Sequence, residues 1–241
     1  MHDATAMRLQ GFDGRVAVVT GAARGIGRRI AETLQAQGAT VAALDLAPPD
    51  IPGMLAVAVD VGDEAGVAAA FDEVEERLGP VDALVLNAGV FVIEPFADVT
   101  LESWRRTQGV NLDGAFLCAR RVLPGMQERG HGRVVAIGSS AGITGGSKSC
   151  AAYAASKAGL MALTKAIAQE YVADGITANA VAPALIRTPM VDAMPDLAAR
   201  VPVGRLGEPD DVAACVTFLL SDHASYITGA VLDVNGGFLI H

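Results

Sequence analysis

The sequence is poor in cysteine, in aromatic residues and in positive charge. Its three cysteines, Cys118, Cys150 and Cys215, form no C-x-x-C pair, which excludes a disulfide framework and a cysteine zinc site. The four histidines show no metal-ligand spacing, so we expect no bound metal. Lys and Arg number 18 against 27 Asp and Glu, a formal net charge of −9. That balance argues against a nucleic-acid partner and against binding to an anionic membrane surface.

Long uncharged hydrophobic runs are also missing, although 51% of the 241 residues are hydrophobic. No run approaches the roughly 20 residues that a membrane-spanning helix needs. Residues 1–8 contain no apolar core of a secretory signal, so we expect a cytoplasmic protein. The length suits one packed α/β domain over residues 12–241, preceded by an extension over residues 1–11.

Apolar, β-branched segments alternate with helical patterns along the chain. The apolar segments predict strands at 15–20, 40–45, 54–60, 81–87, 133–139, 176–181 and 230–234. The helical patterns include those at 25–37, 63–78 and 151–173. This alternation is typical of an α/β fold, in which right-handed crossovers join parallel strands and helices cover both faces of the sheet. Irregular stretches at 88–99, 140–150 and 184–204 follow strands four, five and six, at the carboxyl ends where such sheets bind ligands.

A glycine-rich turn separates the first predicted strand from the first predicted helix. Gly21 permits a tight turn, Gly25 allows the backbone to approach a pyrophosphate, and Gly27 lets the helix pack closely on the strand. The unpaired N–H groups at the start of the helix would then face the phosphates. Such a turn alone is a weak signal, but its position after the first strand favours a dinucleotide site.

Asp45 ends the second predicted strand, 24 residues after Gly21. A carboxylate there accepts hydrogen bonds from a ribose 2′-hydroxyl and repels a 2′-phosphate, which selects NAD over NADP. Arg24, inside the glycine loop, argues for the opposite choice because a basic side chain suits a 2′-phosphate. We weigh Asp45 more heavily, since repulsion at contact distance is hard to offset, and we predict NAD as the cofactor.

Tyr153 and Lys157 lie four residues apart in the first turns of the long predicted helix, so the phenol and the ammonium share one face. Such a pair suits proton transfer to or from a hydroxyl or ketone oxygen. Work near neutral pH requires the pKa of tyrosine to fall by about three units from near 10, or about 4 kcal/mol. An ammonium about 5 Å away contributes roughly 3 kcal/mol at an effective dielectric of about 20. The positive ring of an oxidised nicotinamide would supply the rest, although most Tyr–Lys pairs of this spacing are exposed surface pairs.

Five motifs follow one another along the chain. They are the glycine loop, Asn87-Ala88-Gly89 after strand four, Asn111, a serine at the end of strand five, and the pair Tyr153 and Lys157. Together they resemble the short-chain dehydrogenase/reductase family in its short, single-domain type, and the resemblance spans about residues 12–239. The fold that it implies is a Rossmann-type doubly wound parallel sheet of about seven strands in the order 3-2-1-4-5-6-7.

The resemblance implies a role for each matching residue. Tyr153 looks like the catalytic acid/base, and Lys157 like the residue that lowers its pKa and holds the nicotinamide ribose. Asn111 is similar to the catalytic residue that anchors a proton-relay water. Where the family usually has Pro-Gly, this chain has Pro183-Ala184, which would alter the backbone beside the nicotinamide slightly. The implied cofactor contacts are Gly21, Arg24, Gly25, Ile26, Gly27, Asp45, Leu46, Asp60, Val61, Asn87, Ala88, Gly89, Tyr153, Lys157, Pro183, Ile186 and Thr188.

Two adjacent serines, Ser139 and Ser140, stand where the family has its catalytic serine. Counting back thirteen residues from Tyr153 gives Ser140, whereas counting along strand five gives Ser139 and places Gly142 at the family's S-x-x-G spacing. Strand register is fixed by the pleat, while a loop accepts an extra residue at little cost. We therefore predict Ser139, with the extra residue in 143–150. Its hydroxyl would align the substrate oxygen with Tyr153.

Two kinds of enzyme on this scaffold are similar to the chain. Bacterial 3-oxoacyl-[acyl-carrier-protein] reductases generally use NADPH and favour basic residues near the site mouth, where this chain has Gly130 and Asp174. A net charge of −9 would also slow encounter with an acidic carrier protein. We therefore expect the second kind, an enzyme that interconverts a free secondary alcohol and a ketone by hydride transfer with NAD. A non-catalytic NAD-binding sensor or scaffold is the alternative from another class.

Apolar residues near the site and at the chain end suggest contacts with a substrate and with other subunits. The candidate substrate contacts are Ser139, Ser140, Phe91, Met190 and Met194. The apolar members favour an apolar substrate, although ordinary packing explains such residues equally well. Family members usually form tetramers through the long helices and the C-terminal segment. Because residues 232–240 are apolar for a chain end, we expect a homotetramer.

Overall fold

The computed structural model describes residues 9–47, 51–188 and 197–240. Within these ranges, seven strands form one parallel sheet in the order β3-β2-β1-β4-β5-β6-β7, as the resemblance implies. The strands are β1 (Val16–Thr20), β2 (Thr40–Asp45), β3 (Leu55–Ala58), β4 (Val81–Leu86), β5 (Gly132–Ile137), β6 (Ile176–Pro183) and β7 (Val231–Val234). The predicted doubly wound α/β fold is confirmed.

Helices connect the strands and cover the sheet. They are α1 (Gly25–Ala36), α2 (Glu64–Leu78), α3 (Leu101–Gln108), α4 (Gly114–Arg129), α5 (Ser140–Thr144), α6 (Ala151–Tyr171) and α7 (Pro209–Leu220). One prediction is wrong: residues 140–150 do not form a wholly irregular stretch. The Ser139 side chain accepts a hydrogen bond from the backbone N–H of Ala141 and caps the short helix α5. None of the helices in the described ranges is both long and apolar enough to cross a membrane.

Two separate hydrophobic clusters lie on the two faces of the sheet. Successive side chains of a strand point to opposite faces, so a sheet covered on both sides needs apolar residues throughout. One cluster includes Phe71 of α2 and Leu160 of α6. The other includes Ile30 and Leu34 of α1 and Val216 of α7. The high hydrophobic content of the chain therefore serves a doubly covered sheet.

The sheet also determines where a ligand would bind. From β1 the chain continues toward β2 and β3, and it then crosses back to β4 on the other side of β1. Loops leaving β1 and β4 diverge at this switch point, which opens a crevice at the carboxyl ends of the strands. The glycine loop (residues 21–24) and the loop after β4 (residues 87–95) border the crevice, and the segments after β5 and β6 extend it.

Candidate active site

The glycine loop has a shape that only glycine allows at two positions. Gly21 and Gly25 adopt φ angles of +67° and +58°, in the left-handed region that side chains disfavour. A Cβ atom on Gly27 would lie 2.2 Å from the carbonyl oxygen of Gly21 and 2.3 Å from Nδ2 of Asn87. The loop therefore packs directly against the segment after β4, with no room for a side chain at Gly27.

A set of hydrogen bonds joins the end of β1 to the segment after β4. Nδ2 of Asn87 donates to the carbonyl oxygens of Thr20 and Gly21, both at 2.9 Å. In return, Oγ1 of Thr20 accepts from the backbone N–H groups of Asn87 and Ala88 at 3.0 and 3.1 Å. Thr20 is absent from the residues predicted for the site. Its signal in the sequence was a hydroxyl at the end of an otherwise apolar strand.

Asp45 anchors the same loop from β2. Its Oδ2 accepts a hydrogen bond from the backbone N–H of Ala23 at 2.9 Å. Within the described residues, its second carboxylate oxygen makes no hydrogen bond and remains available to a ligand. Beside it, the side chain of Leu46 is 72% exposed, which is unusual for a large apolar residue. Arg24 is the last residue of the glycine loop before α1, and it is exposed as well.

Two further predicted cofactor residues, Asp60 and Val61, follow β3. Oδ1 of Asp60 accepts from the backbone N–H of Gly62 at 2.9 Å, so the carboxylate stabilises its own turn. Val61 is buried, and a Cβ on Gly114 at the start of α4 would lie 2.7 Å from it. This turn forms the wall of the crevice on the side of β2 and β3.

Ser139 follows β5 and lies at the amino end of α5. Its carbonyl oxygen accepts a hydrogen bond from the backbone N–H of Gly142 at 3.0 Å. A Cβ on Gly142 would lie 2.7 Å from the backbone nitrogen of Ala158, so a glycine at this spacing lets α5 pack against α6. Ser139 lies beside the Tyr153 phenol and favours its ionised form, whereas the carbonyl of Ser140 accepts from Thr144 within α5.

Tyr153 and Lys157 lie on the first two turns of α6. The ring of Tyr153 meets the ring of Phe91 edge to face, with centroids 4.8 Å apart and an interplanar angle of 73°. Nζ of Lys157 lies 5.8 Å from the centroid of the Tyr153 ring. The same ammonium donates a 2.6 Å hydrogen bond to the carbonyl oxygen of Ile137, at the end of β5. The hydrogen bond to β5 therefore fixes the Lys157 ammonium at a position next to the Tyr153 ring.

Burial disfavours the charged form of both members of this pair. Burial lowers the pKa of Lys157 from 10.5 to about 8, because desolvation disfavours the ammonium. Burial also raises the pKa of Tyr153, and the neighbouring Ser139 offsets part of that rise. The positive charge of Lys157, which the sequence predicts to lower the pKa of Tyr153, is thus itself disfavoured by burial.

Asn111 lies in a π-helical turn, Gly109–Asp113, between α3 and α4. Such turns insert an extra residue into a helix and are frequent at functional sites. The Asn111 side chain is fully buried, and its amide makes two bonds to the backbone of Val90. Oδ1 accepts from the Val90 N–H at 2.7 Å, and Nδ2 donates to its carbonyl at 3.0 Å. The amide therefore holds the segment that follows Gly89.

The segment after β6 completes the crevice. Pro183 ends β6, and Ile186 is buried and pairs with Gly207 in an isolated bridge. The methyl group of Thr188 lies 3.6 Å from the position that a Cβ on Gly25 would occupy. Among non-glycine residues of the described ranges, only Ser149 has a positive φ, so Ala184 replaces the family's glycine without strain. The predicted substrate contacts Met190 and Met194 lie outside the described residues.

The residues present fit a dinucleotide. The glycine loop leaves open the space that side chains would fill, the backbone N–H groups at the start of α1 suit phosphates, and Asp45 offers a free carboxylate oxygen. Phe91, Ser139, Tyr153 and Lys157 lie at the opposite end of the crevice, where a reacting group would sit. Within the described ranges, no three His, Cys, Asp or Glu side chains cluster so as to hold a metal ion.

Comparison with known proteins gives a consistent result. The family model described as enoyl-(acyl carrier protein) reductase matches residues 21–239. The 3-oxoacyl-[acyl-carrier-protein] reductase of Escherichia coli (strain K12) is 40% identical, over 94% of this chain and 98% of the relative. The 2-dehydro-3-deoxy-L-rhamnonate dehydrogenase (NAD(+)) of Sphingomonas sp. (strain SKA58) is 37% identical, over 94% and 96%. The crystal structure of levodione reductase has a TM-score of 0.88 and 35% identity, over 94% of this chain and 98% of that chain.

The fold, the glycine loop and these relatives define the class of protein. It is a nicotinamide-dependent oxidoreductase that acts on alcohol and carbonyl groups. The chain belongs to the short-chain dehydrogenase/reductase family, and the resemblance drawn from its five motifs is confirmed.

Proposed function

We propose that the protein interconverts a free secondary alcohol and the corresponding ketone, with NAD(H) as cofactor. The observation that carries the proposal is the meeting of Ser139, Tyr153 and Lys157 at the carboxyl edge of the sheet, at one end of a crevice that fits a dinucleotide. A sensor or scaffold that only binds NAD has no need of this arrangement. The cofactor, when bound, accepts or donates the hydride.

The protein's own groups handle the proton. Tyr153 gives its hydroxyl proton to the ketone oxygen in reduction, or takes a proton from the alcohol in oxidation. Ser139 donates a hydrogen bond to the same oxygen and aligns it with Tyr153. Lys157, buried and held by Ile137, places a positive charge beside the phenol and binds the nicotinamide ribose. Asn111 is the fourth of the predicted catalytic residues, and its side chain holds the segment after β4 in place.

The cofactor contacts follow the crevice from the adenosine end to the nicotinamide end. Asp60 and Val61 would contact the adenine, and Leu46 offers it an exposed apolar surface. Asn87, Ala88 and Gly89 would lie beside the ribose. The backbone at Pro183, Ile186 and Thr188 would contact the nicotinamide carboxamide, close to Gly25.

Asp45 supports NAD rather than NADP. One of its oxygens is used by Ala23, and the other makes no hydrogen bond to the described residues. A 2′-phosphate in that place would bring a dianion against a carboxylate. Arg24 is exposed, and within the described ranges its side chain has no ion pair to hold it at this position. The relative from Sphingomonas carries NAD(+) in its name.

Asp45→Asn is expected to weaken this preference. The amide retains an oxygen that can accept from the Ala23 N–H, and it removes the negative charge that repels a 2′-phosphate. The ratio of kcat/KM for NAD over that for NADP should fall by roughly 10- to 100-fold, about 1.4–2.8 kcal/mol. Steady-state kinetics with both cofactors measure it. Asp72→Asn, which removes the same charge from α2, should leave the ratio unchanged; an equal fall there would refute the assignment.

The charge near the site and the apolar surface around it support a free substrate rather than one bound to a carrier protein. Asp174 is held by Nε2 of Gln127 at 2.9 Å and keeps a negative charge where a carrier-protein reductase favours a base. Ile93, in the loop after β4, and Phe96, just beyond that loop, are 59% and 80% exposed. Together with Phe91, which touches Tyr153, they support an apolar substrate. Ser140, Met190 and Met194 remain part of the proposed substrate site.

A 3-oxoacyl-[acyl-carrier-protein] reductase that uses NADPH is the second candidate, because the relative from Escherichia coli has that name. A substrate panel separates the two functions. Secondary alcohols and ketones of increasing size are supplied free, and a 3-oxoacyl group is supplied on acyl carrier protein, each with NAD(H) and NADP(H). The proposal expects turnover of the free substrates with NAD(H). Efficient turnover only of the carrier-bound substrate with NADPH would favour the second candidate.

We also propose that residues 12–241 form one catalytic domain, preceded by an extension over residues 1–11, and that the protein acts in the cytoplasm. We further propose that four copies of the chain assemble into a homotetramer. The described surface has exposed apolar side chains on α4 and at the chain end, among them Phe116, Tyr226, Leu232 and Ile240. Sedimentation equilibrium should return four times the chain mass of 24.6 kDa. A mass equal to one chain would contradict the assembly.

A further inference from the structure

Ser156 lies between Tyr153 and Lys157 on α6, yet it belongs to none of the roles assigned above. The residue is completely buried. Its hydroxyl donates a 2.7 Å hydrogen bond to the carbonyl oxygen of Tyr153, one turn earlier. The same oxygen accepts a 2.9 Å hydrogen bond from Nδ2 of Asn111. Ser156 therefore uses its hydroxyl both as a donor and as an acceptor.

The bond to Asn111 links three parts of the chain. The same amide of Asn111 binds both backbone groups of Val90, so the segment after β4, the π-helical turn and α6 are joined through one side chain. Gly89 lies against this junction: a Cβ there would be 3.3 Å from Oδ1 of Asn111 and 3.5 Å from Nζ of Lys157. The network thus sets the distance between the segment at Gly89 and the Lys157 ammonium.

A second buried hydroxyl on the same helix shows what is particular to Ser156. Oγ1 of Thr164 donates to the carbonyl of Leu160 at 2.8 Å, and this bond stays within α6. Its removal affects the helix alone. Removal of the Ser156 hydroxyl would also leave an N–H of the Asn111 amide unpaired in a site without solvent, and a buried unpaired donor is costly.

We propose that Ser156 is a positioning residue: it fixes Asn111 to the first turn of α6 and thereby holds Tyr153 in its place beside Ser139 and Lys157. The effect of this positioning on catalysis rests on the proposed function, in which Tyr153 is the proton donor and Ser139 aligns the substrate oxygen with it. The positioning itself is a property of the folded chain. It can therefore be tested without any substrate.

The first test measures Tyr153 directly. The chain has three tyrosines, so Tyr171→Phe and Tyr226→Phe together leave Tyr153 as the single tyrosine, and its ionisation is followed by ultraviolet absorbance. Adding Ser156→Ala should raise the pKa of Tyr153, because the first turn of α6 is loosened and the phenol moves away from Ser139, which lowers that pKa. Thr164→Val, which removes the other hydroxyl, should leave that pKa unchanged. An unchanged pKa in Ser156→Ala, or an equal rise in Thr164→Val, would overturn the inference.

The second test measures turnover. In alcohol oxidation, Ser156→Ala should shift the limiting pKa of the kcat–pH profile upward by about half to one unit, so that kcat at neutral pH falls roughly 3- to 10-fold. Thr164→Val should keep the parent profile. Ser156→Cys, with a poorer hydrogen-bonding group, should show a smaller shift in the same direction and serves if the alanine variant does not fold. A lower melting temperature with the parent pH profile would reduce Ser156 to a structural role.

The two tests separate this inference from the proposed function. A shifted Tyr153 titration in a protein that oxidises no alcohol would contradict the proposed function and keep the positioning role. Normal turnover in both the parent and Ser156→Ala, with identical pH profiles, would keep the function and overturn the positioning role.

Discussion

Replacement of Tyr153 by phenylalanine is expected to lower kcat by about 10²- to 10⁴-fold, the range that a positioned acid or base contributes. Phenylalanine preserves the ring that packs edge to face against Phe91 and removes the hydroxyl that contacts Ser139. Binding of the dinucleotide should persist, since the glycine loop and Asp45 lie at the other end of the crevice. Steady-state kinetics and a fluorescence titration with NADH measure the two effects separately.

The matched control for Tyr153→Phe is Tyr171→Phe, at the end of the same helix. It makes the same chemical change at a distance of five helical turns and should leave kcat at the parent value. Full turnover by Tyr153→Phe with every alcohol or ketone tested would contradict the assignment of the acid/base. A fall in NADH binding as large as the fall in kcat would show that the hydroxyl serves the cofactor rather than the proton.

Gly27→Ala should reduce dinucleotide affinity by about 100-fold, or roughly 2.7 kcal/mol. Its Cβ would stand 2.2 Å from the carbonyl oxygen of Gly21 and 2.3 Å from Nδ2 of Asn87. Neither neighbour is a flexible side-chain end that can swing away, because Asn87 is held by two hydrogen bonds to the β1 end. The glycine loop must therefore move away from the segment after β4, and this displaces the backbone N–H groups that would bind the phosphates.

Gly125→Ala on α4 is the control for this change. The same methyl group there meets only the flexible end of Arg129, at 3.2 Å, and alanine favours a helix. NADH binding should be unchanged in Gly125→Ala. Parent affinity in Gly27→Ala would contradict the close packing of the loop, and a melting temperature for each variant shows whether a loss of affinity reflects loss of the fold.

The sheet and the order of its elements could be predicted from the sequence because the signal was local. Apolar strands alternated with helical patterns, and the strand order followed from the family resemblance. The glycine loop was equally recognisable because its position between the first strand and the first helix is a local signal, although Gly21 and Gly27 also pack against the distant residue Asn87. The choice of Ser139 over Ser140 rested on strand register and remains a prediction.

Features that depend on contacts between distant segments were not predictable. Thr20 bonds to the segment at Asn87, 67 residues later along the chain, and Asn111 reaches Ser156 across 45 residues. Asn111 makes these bonds from a π-helical turn, which helical periodicity alone does not show. The direction of the Tyr153 pKa also depended on burial, which the spacing of the pair does not reveal.

Transfer of deuterium from cofactor to product tests the central claim most directly. The protein is incubated with NADH that carries deuterium at the transferring position of C4 and with a ketone that it turns over, and the alcohol is analysed by mass spectrometry. We expect one deuterium on the carbinol carbon, and in Tyr153→Phe we expect the labelled alcohol to form about 10²- to 10⁴-fold more slowly. Oxidation of NADH that yields an unlabelled alcohol, or binding of NADH without reduction of any ketone, would contradict the account.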